Sequence, residues 1–243
     1  MFGANQQAKA EHGTGDALLV NSIFATIQGE GPFTGMPAMF VRLTGCNLRC
    51  HFCDTEFESG APMSVREIRD AIDVRCNGKR IKLVVLTGGE PMRQQVVPLL
   101  KDLTRRGFHV QIETAGTLCP PGEELETLVE LGKVSLVCSP KTGSINPRIE
   151  KLCHHYKYII RVGEINPEDG LPRVSTQIKN HGARIWRPDP DMFAQVWLQP
   201  CAEYLDGQPD PRATGMNQAL CVELAIKHGY RISLQTHKIL GVD

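Results

Sequence analysis

Residues 38–55, AMFVRLTGCNLRCHFCDT, contain both a fold signal and a chemical one. They begin with a short apolar run that favours a β-strand and continue into a loop with three cysteines. Cys46, Cys50 and Cys53 are close enough in sequence for one loop to wrap a single inorganic centre. Iron–sulfur cubanes usually take four thiolates, so three leave one iron open to another ligand. The spacing therefore predicts an incompletely ligated iron–sulfur cluster.

Two other interpretations of the three cysteines remain open. In a zinc knuckle, a fourth ligand such as His51 would complete a closed tetrahedral site. Zinc sites are normally built from two separated ligand pairs, whereas no second cysteine pair follows this loop. A redox dithiol of Cys50 and Cys53 leaves Cys46 without a role. Metal analysis and a visible spectrum separate these cases, because a zinc-binding interaction module contains one zinc and is colourless.

Outward from this loop, short apolar runs rich in branched residues alternate with longer segments of helical period. Strands that alternate with helices indicate an α/β fold with a largely parallel sheet and right-handed crossovers, either open or curled into a barrel. The predicted strands are residues 18–26, 38–43, 82–86, 109–112, 134–137, 158–162, 195–198 and 231–234.

Helix signals lie between the predicted strands. Ser64 and Glu67 form a capping-box pattern ahead of the first helix. The last predicted helix covers about residues 213–228 and stops at Gly229, because glycine adopts a left-handed cap without a steric penalty. Two further helices are predicted, one from Pro91 to near Gly107 and one opened by Pro120 and Pro121.

Polar residues and glycines directly follow the predicted strands. They therefore lie at the carboxyl ends of the strands, which converge on one face in a barrel, where such folds place their chemistry. These positions are Gly45 and Cys46, Thr87 to Glu90, Glu113 and Thr114, Ser139 to Lys141, Gln199 and Pro200, and Gln235 to His237.

Composition narrows the function classes. The chain has 243 residues, 41% of them hydrophobic, which is enough for one sizeable core. Its 27 basic and 27 acidic residues give no net charge, so neither nucleic acid nor a membrane surface is an expected partner. No stretch approaches the roughly 20 apolar residues of a membrane span. We expect a cytoplasmic protein with a small-molecule substrate, a flexible N-terminal extension at residues 1–17 and a single catalytic domain at residues 18–243.

The cysteine loop resembles that of the radical S-adenosylmethionine (SAM) superfamily, whose signature has these intervals and an aromatic residue, here Phe52, before the last cysteine. TGGEP, from Thr87 to Pro91, resembles the superfamily's glycine-rich motif. The resemblance implies an incomplete TIM-like βα barrel with mainly parallel strands, a [4Fe–4S] cluster and SAM. In that superfamily SAM chelates the open iron, and one electron from the cluster cleaves it to a radical that takes a hydrogen atom from the substrate.

Over most of its length the chain is similar to one subgroup, the 7-carboxy-7-deazaguanine synthases. Those enzymes are magnesium-dependent lyases of queuosine and 7-deazapurine biosynthesis. They convert 6-carboxy-5,6,7,8-tetrahydropterin to 7-carboxy-7-deazaguanine with release of ammonia. The similarity lies in FATIQGEGPFTGMPAMFVRLTGCNLRCHFCDT from Phe24 to Thr55, LTGGEP, IETAGT from Ile112 to Thr117, SPK from Ser139 to Lys141, WLQP from Trp197 to Pro200, and SLQTHKILG near the C-terminus.

The resemblance also implies roles for individual residues. Arg42 would face the substrate carboxylate with a planar, permanently charged guanidinium. Thr55 would offer its hydroxyl to magnesium, an ion that typically keeps waters and takes few protein ligands. The other implied substrate contacts are Ile27, Gln28, Gly29, Thr87 and His237, with Glu113 as an accessory polar contact. The implied SAM pocket consists of His51, Phe52, Gly89, Glu90, Ser139, Pro140, Lys141, Gln199 and Pro200.

Within catalysis, the nearest alternative is an activating enzyme that uses the same radical on a glycine of another protein. Such an enzyme needs a peptide-docking surface, whereas the QGEG segment and Arg42 favour a small polar substrate. The family resemblance further implies a homodimer and a flavodoxin-like or other electron donor. The tail ILGVD ends in Asp243, whereas relatives often close with different residues.

Overall fold

The computed structural model describes residues 6–53, 55–177, 182–189 and 194–242, so Asp243 lies outside the described residues. Its strands follow the predicted order, with two short additions near the C-terminal third and one before the first helix. The strands are β1 (Ala17–Ile27), β2 (Pro37–Leu43), β3 (Ala61–Ser64), β4 (Leu83–Gly88), β5 (His109–Thr114), β6 (Val134–Cys138), β7 (His155–Ile160), β8 (Gln195–Pro200), β9 (Tyr204–Leu205), β10 (Gln208–Pro209) and β11 (Arg231–Ile232).

One sheet contains nine of these strands in the order β11-β8-β7-β6-β5-β4-β2-β1-β3. Neighbours from β11 to β2 are parallel, while β1 pairs antiparallel with both β2 and β3. Within the described residues β3 and β11 are edges, so the sheet does not close. This architecture confirms the predicted incomplete βα barrel with mainly parallel strands.

Helices cover the sheet between successive parallel strands. Two of them confirm their sequence signals: Ser64 forms a capping box with Glu67, and Gly229 adopts the left-handed conformation with φ 72°. The helices are α1 (Val65–Cys76), α2 (Val97–Arg105), α3 (Glu124–Glu130), α4 (Pro147–Leu152), α5 (Pro211–His228) and α6 (Thr236–Leu240), with 3-10 turns at Gly31–Phe33 and Pro91–Arg93.

Strand alternation divides the sheet into an apolar face and a cavity face. In β2, Met39, Val41 and Leu43 are fully buried in the main core together with side chains of α1 and α2. Phe40 and Arg42, at the intervening positions, line a cavity instead. Because successive side chains of a strand point to opposite faces, one short sequence supplies both core and site.

The helix predicted from Pro91 to near Gly107 is wrong in its first part. Pro91 opens only a 3-10 turn, and α2 begins at Val97. Gln94 lies between them in extended conformation, with its side-chain oxygen accepting from Leu19 N at 2.7 Å and its amide nitrogen donating to Leu19 O at 3.1 Å. This tertiary contact interrupts the helix.

Residues 6–16, predicted as part of a flexible extension, lie along the domain. Ala8 N donates to Cys46 O at 2.8 Å, and Glu11 N donates to Arg93 O at 2.7 Å. Flexibility of the whole extension, residues 1–17, stays a prediction, since residues 1–5 lie outside the described residues. In the described part of the chain, no helix is long and apolar enough to cross a membrane.

Candidate active site

A cavity of about 500 Å³ opens at the carboxyl ends of the parallel strands. Two groups of residues line it. The loop of residues 45–55, here called the cluster loop, contributes Cys46, Cys50, Cys53 and Thr55. The strands contribute polar side chains, of which Gln28, Arg42, Thr87 and Glu113 are here called the polar wall. The structure thus brings the predicted cluster ligands and the main predicted substrate contacts into one space.

Two glycines fix the shape of the cluster loop. Gly45 has φ 77°, a conformation that favours glycine, and a Cβ there would lie 2.6 Å from Nε of Arg93. Gly89 follows β4, and a Cβ on it would lie 2.0 Å from the carbonyl oxygen of Gly45. Glu90 N donates to that same oxygen at 2.9 Å. The TGGEP segment can therefore pack directly on the cluster loop only because residue 89 lacks a side chain.

The thiols of the cluster loop fit an iron–sulfur cluster. All three line the cavity as half-buried cysteines that form no disulfide, and backbone or side-chain donors point at two of the sulfurs. Burial, with a contribution from Glu90, raises the pKa of Cys46 to about 12, so this thiol is protonated at neutral pH in the metal-free protein. Among the described residues, no three His, Cys, Asp or Glu side chains converge on a single ion.

The polar wall is held together by the carboxylate of Glu113. Its Oε1 accepts from Gln28 Nε2 at 3.1 Å and from Gln111 Nε2 at 3.0 Å, and its Oε2 accepts from Thr87 Oγ1 at 3.1 Å. Thr87 pairs with Arg42 in the register of β4 and β2. Parallel register therefore places side chains from three neighbouring strands in one row.

Arg42 presents a charged group to the cavity. Its guanidinium carbon lies 4.9 Å from the ring centroid of Phe24, and the side chain is half-buried. No carboxylate of the described residues forms an ion pair with it. A half-buried guanidinium that forms no ion pair with a described carboxylate is suited to bind an anionic ligand.

A second polar group in the cavity, here called the Glu30 network, consists of Glu30, Lys157, Gln199 and Gln235. Lys157 pairs with Glu30 Oε2, while Gln235 and Gln199 donate to Oε1 at 2.9 and 3.2 Å. Burial alone would raise the pKa of Glu30, but Lys157 and Gln235 outweigh it and lower the pKa to about 2. Glu30 is therefore a carboxylate at neutral pH.

The Glu30 network contains functional candidates that the motifs do not reveal. Lys157 lies just before the predicted strand 158–162 and outside every quoted motif, whereas the structure places it within β7. A lysine at that position is itself a signal, because lysine is almost never fully buried without a partner. Lys157 is only 7% exposed and lines the cavity.

Ser139 and Lys141 lie beside the cluster loop. The ammonium of Lys141 hydrogen-bonds to the hydroxyl of Ser139 and lies 6.0 Å from the ring centroid of Phe52. Burial lowers the pKa of Lys141, while the neighbouring Cys50 thiol acts in the opposite direction. The SPK segment thus places a half-buried cation next to a cluster cysteine.

Most of the residues implied for SAM and substrate line the cavity, but five do not. Ile27 borders a separate groove, and Pro140 is buried. The carboxylate of Glu90 is used internally, since it accepts from Thr114 Oγ1 at 2.7 Å and Ala115 N at 2.8 Å. Burial raises the pKa of Glu90 despite these donors. The other two are Gly29 and His51, while Phe52, Gly89, Ser139, Lys141, Gln199, Pro200 and His237 line the cavity.

Gly29 and His237 form one contact. A Cβ on residue 29 would lie 2.1 Å from Nδ1 of His237, so glycine makes room for the imidazole. The backbone supports this packing, because Thr236 N donates to Gly29 O at 3.2 Å. The contribution of Gly29 to the site is therefore to let α6 place His237 in the cavity.

Known proteins resemble this chain in sequence and in fold. Residues 40–178 match the Radical SAM superfamily. The chain is 42% identical to a 7-carboxy-7-deazaguanine synthase of Rhodospirillum rubrum over the full length of both, and 39% identical to one of Rickettsia prowazekii over all of this chain and 96% of that one.

A solved structure supports the fold. QueE from Escherichia coli matches with a TM-score of 0.62 and 24% identity, covering 90% of this chain and 93% of the other. Full-length identity and the cysteine loop assign the family. The chain belongs to the 7-carboxy-7-deazaguanine synthases of the radical SAM superfamily.

Proposed function

We infer that this chain converts 6-carboxy-5,6,7,8-tetrahydropterin to 7-carboxy-7-deazaguanine with release of ammonia. One observation carries the inference: the cluster loop and the polar wall share a single cavity, in a chain with a full-length relative of that name at 42% identity. When bound, the cluster and SAM supply the radical that takes a hydrogen atom from the substrate. The protein's own residues bind and orient the reactants.

The polar wall binds the substrate. Arg42 binds the carboxylate, because its guanidinium faces the cavity without a carboxylate partner among the described residues. Gln28 and Thr87 read the donors and acceptors of the pterin, and Glu113 fixes both side chains by accepting from each. His237 closes the cavity beside them, with Ile27 and Gly29 contributing backbone. Substrate orientation is therefore set before the chemistry begins.

The SAM pocket lies between the cluster loop and the SPK segment. Cys46, Cys50 and Cys53 hold the cluster, and Gly89 leaves space for the methionine end of SAM. The remaining contacts that we propose for SAM are His51, Phe52, Glu90, Ser139, Pro140, Lys141, Gln199 and Pro200. Glu90 and Pro140 act through their backbone, because their side chains are buried outside the cavity lining.

Thr55 is the proposed magnesium ligand. Its side chain lines the cavity at the end of the cluster loop, and a hydroxyl oxygen suits a hard cation that keeps several waters. Thr55→Ala should weaken the dependence of turnover on magnesium concentration. An unchanged magnesium dependence would exclude the residue as a ligand.

The assay for the proposed function is direct. The protein is purified without oxygen, reconstituted with iron and sulfide, and supplied with SAM, reductant, magnesium and the carboxylated tetrahydropterin. Mass spectrometry should detect 7-carboxy-7-deazaguanine, with one ammonia released per product. A visible spectrum with intact cluster absorbance but no deazaguanine product would overturn the assignment.

The chain should have two kinds of protein partner, a second copy of itself and an electron donor. We propose that the chain forms a homodimer and takes its electron from a flavodoxin-like or other donor, both on the basis of the family resemblance. Light scattering of the reconstituted protein measures the mass of the assembly. A mass of one chain would contradict the dimer.

A further inference from the structure

Residues 175–177, Ser175, Thr176 and Gln177, form a polar segment that lies against the cluster loop. We call it the STQ segment. Its side chains are only 3%, 7% and 7% exposed. Gln177 forms an antiparallel bridge with Cys50 although the two are 127 residues apart in sequence. The segment is therefore a buried tertiary neighbour of the second cluster cysteine, outside every motif of the sequence.

The orientation of the Gln177 amide follows from its partners. The backbone N–H of Arg49 donates to Gln177 Oε1 at 2.8 Å. A backbone N–H can only donate, so the amide oxygen must face Arg49 and the amide nitrogen must face the other way. That nitrogen lies 3.1 Å from Cys50 Sγ. The hydroxyl of Thr176 lies 3.2 Å from the same sulfur. Two side-chain donors therefore point at one thiol.

The STQ segment is held by contacts that do not involve the thiols. Ser175 Oγ donates to Lys141 O at 2.8 Å, and Gln177 N donates to Ser175 Oγ at 3.2 Å. Thr176 N also donates to Lys141 O at 3.2 Å. Both donors to Cys50 are thus anchored to the backbone of the SPK segment. Cys46, by comparison, accepts from the backbone N–H of Leu48 at the longer distance of 3.4 Å.

We propose that Thr176 and Gln177 are positioning residues that donate hydrogen bonds to Cys50 as a cluster thiolate and raise the reduction potential of the cluster. Hydrogen bonds to the sulfurs of an iron–sulfur cluster stabilise its more negative, reduced form, and outer partners of metal ligands tune the metal. The proposal rests on the cluster of the family and not on the identity of the substrate.

The test is a redox titration of the reconstituted cluster in the absence of SAM and substrate, followed by electron paramagnetic resonance of the reduced form. Gln177→Leu and Thr176→Val each remove one donor at similar volume. Thr176→Ser keeps the hydroxyl, and Gln208→Leu makes the same change as Gln177→Leu at an exposed position of β10. Iron content is measured first, so that potentials are compared for loaded protein only.

The expected result is a lower midpoint potential for Gln177→Leu and for Thr176→Val, and a larger shift for the double variant. Thr176→Ser and Gln208→Leu should have the same midpoint potential as the wild-type protein. If Gln177→Leu does not retain iron, Thr176→Val decides the question, because its side chain keeps the shape of threonine. Wild-type potentials in the loaded donor variants would overturn the proposal. Because no substrate is present, this result is independent of whether the deazaguanine is formed.

Discussion

The cluster loop and the polar wall line the same cavity but are built differently. The loop takes its three thiols from eight consecutive residues, and neighbouring segments hold its backbone from outside. The polar wall takes its side chains from three strands and from Gln28 directly after β1, and Glu113 accepts hydrogen bonds from Gln28 and Thr87. One part is thus a scaffold for a cofactor, whereas the other is already ordered by its own contacts. Substitutions in the two parts should have separable effects.

The largest expected effect is in the cluster loop. Cys50→Ala should abolish both the visible absorbance of the cluster and all turnover, because the remaining two thiols hold the cluster poorly. Cys76→Ala is the matched control, since Cys76 is a half-buried thiol at the end of α1 and does not line the cavity. Turnover retained by Cys50→Ala would refute the cluster-based mechanism.

Substitution of Glu30 should lower the free energy of unfolding. Glu30→Gln leaves the ammonium of Lys157 buried without its counter-charge, and loss of one partner of a buried ion pair typically costs about 3–5 kcal/mol. Urea denaturation of the cluster-free protein at pH 7 measures this loss. Adding Lys157→Met should recover much of it, because the uncompensated charge is then gone. Glu30→Gln protein as stable as the wild type would contradict this prediction.

The difference in stability between wild type and Glu30→Gln should depend on pH with a definite sign. The pKa of Glu30 falls from an ordinary value of 4.5 to about 2 on folding, so its stabilising charge is fully present above pH 4.5 and is lost as pH falls toward 2. The stability gap between wild type and Glu30→Gln should therefore be constant from pH 5 to neutral and shrink in acid. A gap that widens on acidification would be inconsistent with the depressed pKa.

Within the polar wall a smaller effect is expected from Thr87→Val. The change removes the O–H that donates to the carboxylate of Glu113 at 3.1 Å, and a hydrogen bond to a charged group contributes about 1.5 kcal/mol at the low end. We expect KM for the pterin to rise roughly tenfold while cluster absorbance stays the same. Thr87→Ser keeps the donor and should behave as wild type. Loss of cluster absorbance in Thr87→Val would show that the two parts of the cavity are not separable.

Features fixed by short-range sequence were predictable. The cysteine spacing, the capping box at Ser64 and the left-handed Gly229 depend on a few consecutive residues. The placement of Arg42 and Thr87 follows almost as directly, because strand alternation and parallel register put them in one row. These parts of the fold and of the candidate site needed no tertiary information.

Other features depend on contacts between distant segments. The STQ segment lies in a proline-containing stretch whose period indicates neither helix nor strand, and only the folded chain brings it to Cys50. Gln94 ends the turn before α2 because it pairs with the backbone of Leu19, 75 residues away. Residues 6–16 have a polar composition that suggests flexibility, yet their backbone finds partners on the domain. Local pattern cannot predict such pairings.

The claim that the polar wall selects a carboxylated pterin is tested most directly by the ratio of kcat/KM for two substrates. For wild type and Arg42→Met, kcat/KM is measured with 6-carboxy-5,6,7,8-tetrahydropterin and with the same pterin lacking the carboxylate. The control is Arg66→Met, which changes an exposed arginine of α1. Hydrogen bonds to a charged group contribute about 1.5–3 kcal/mol, so the preference for the carboxylated substrate should fall about 10- to 100-fold in Arg42→Met alone. An equal preference in wild type and Arg42→Met would contradict the account.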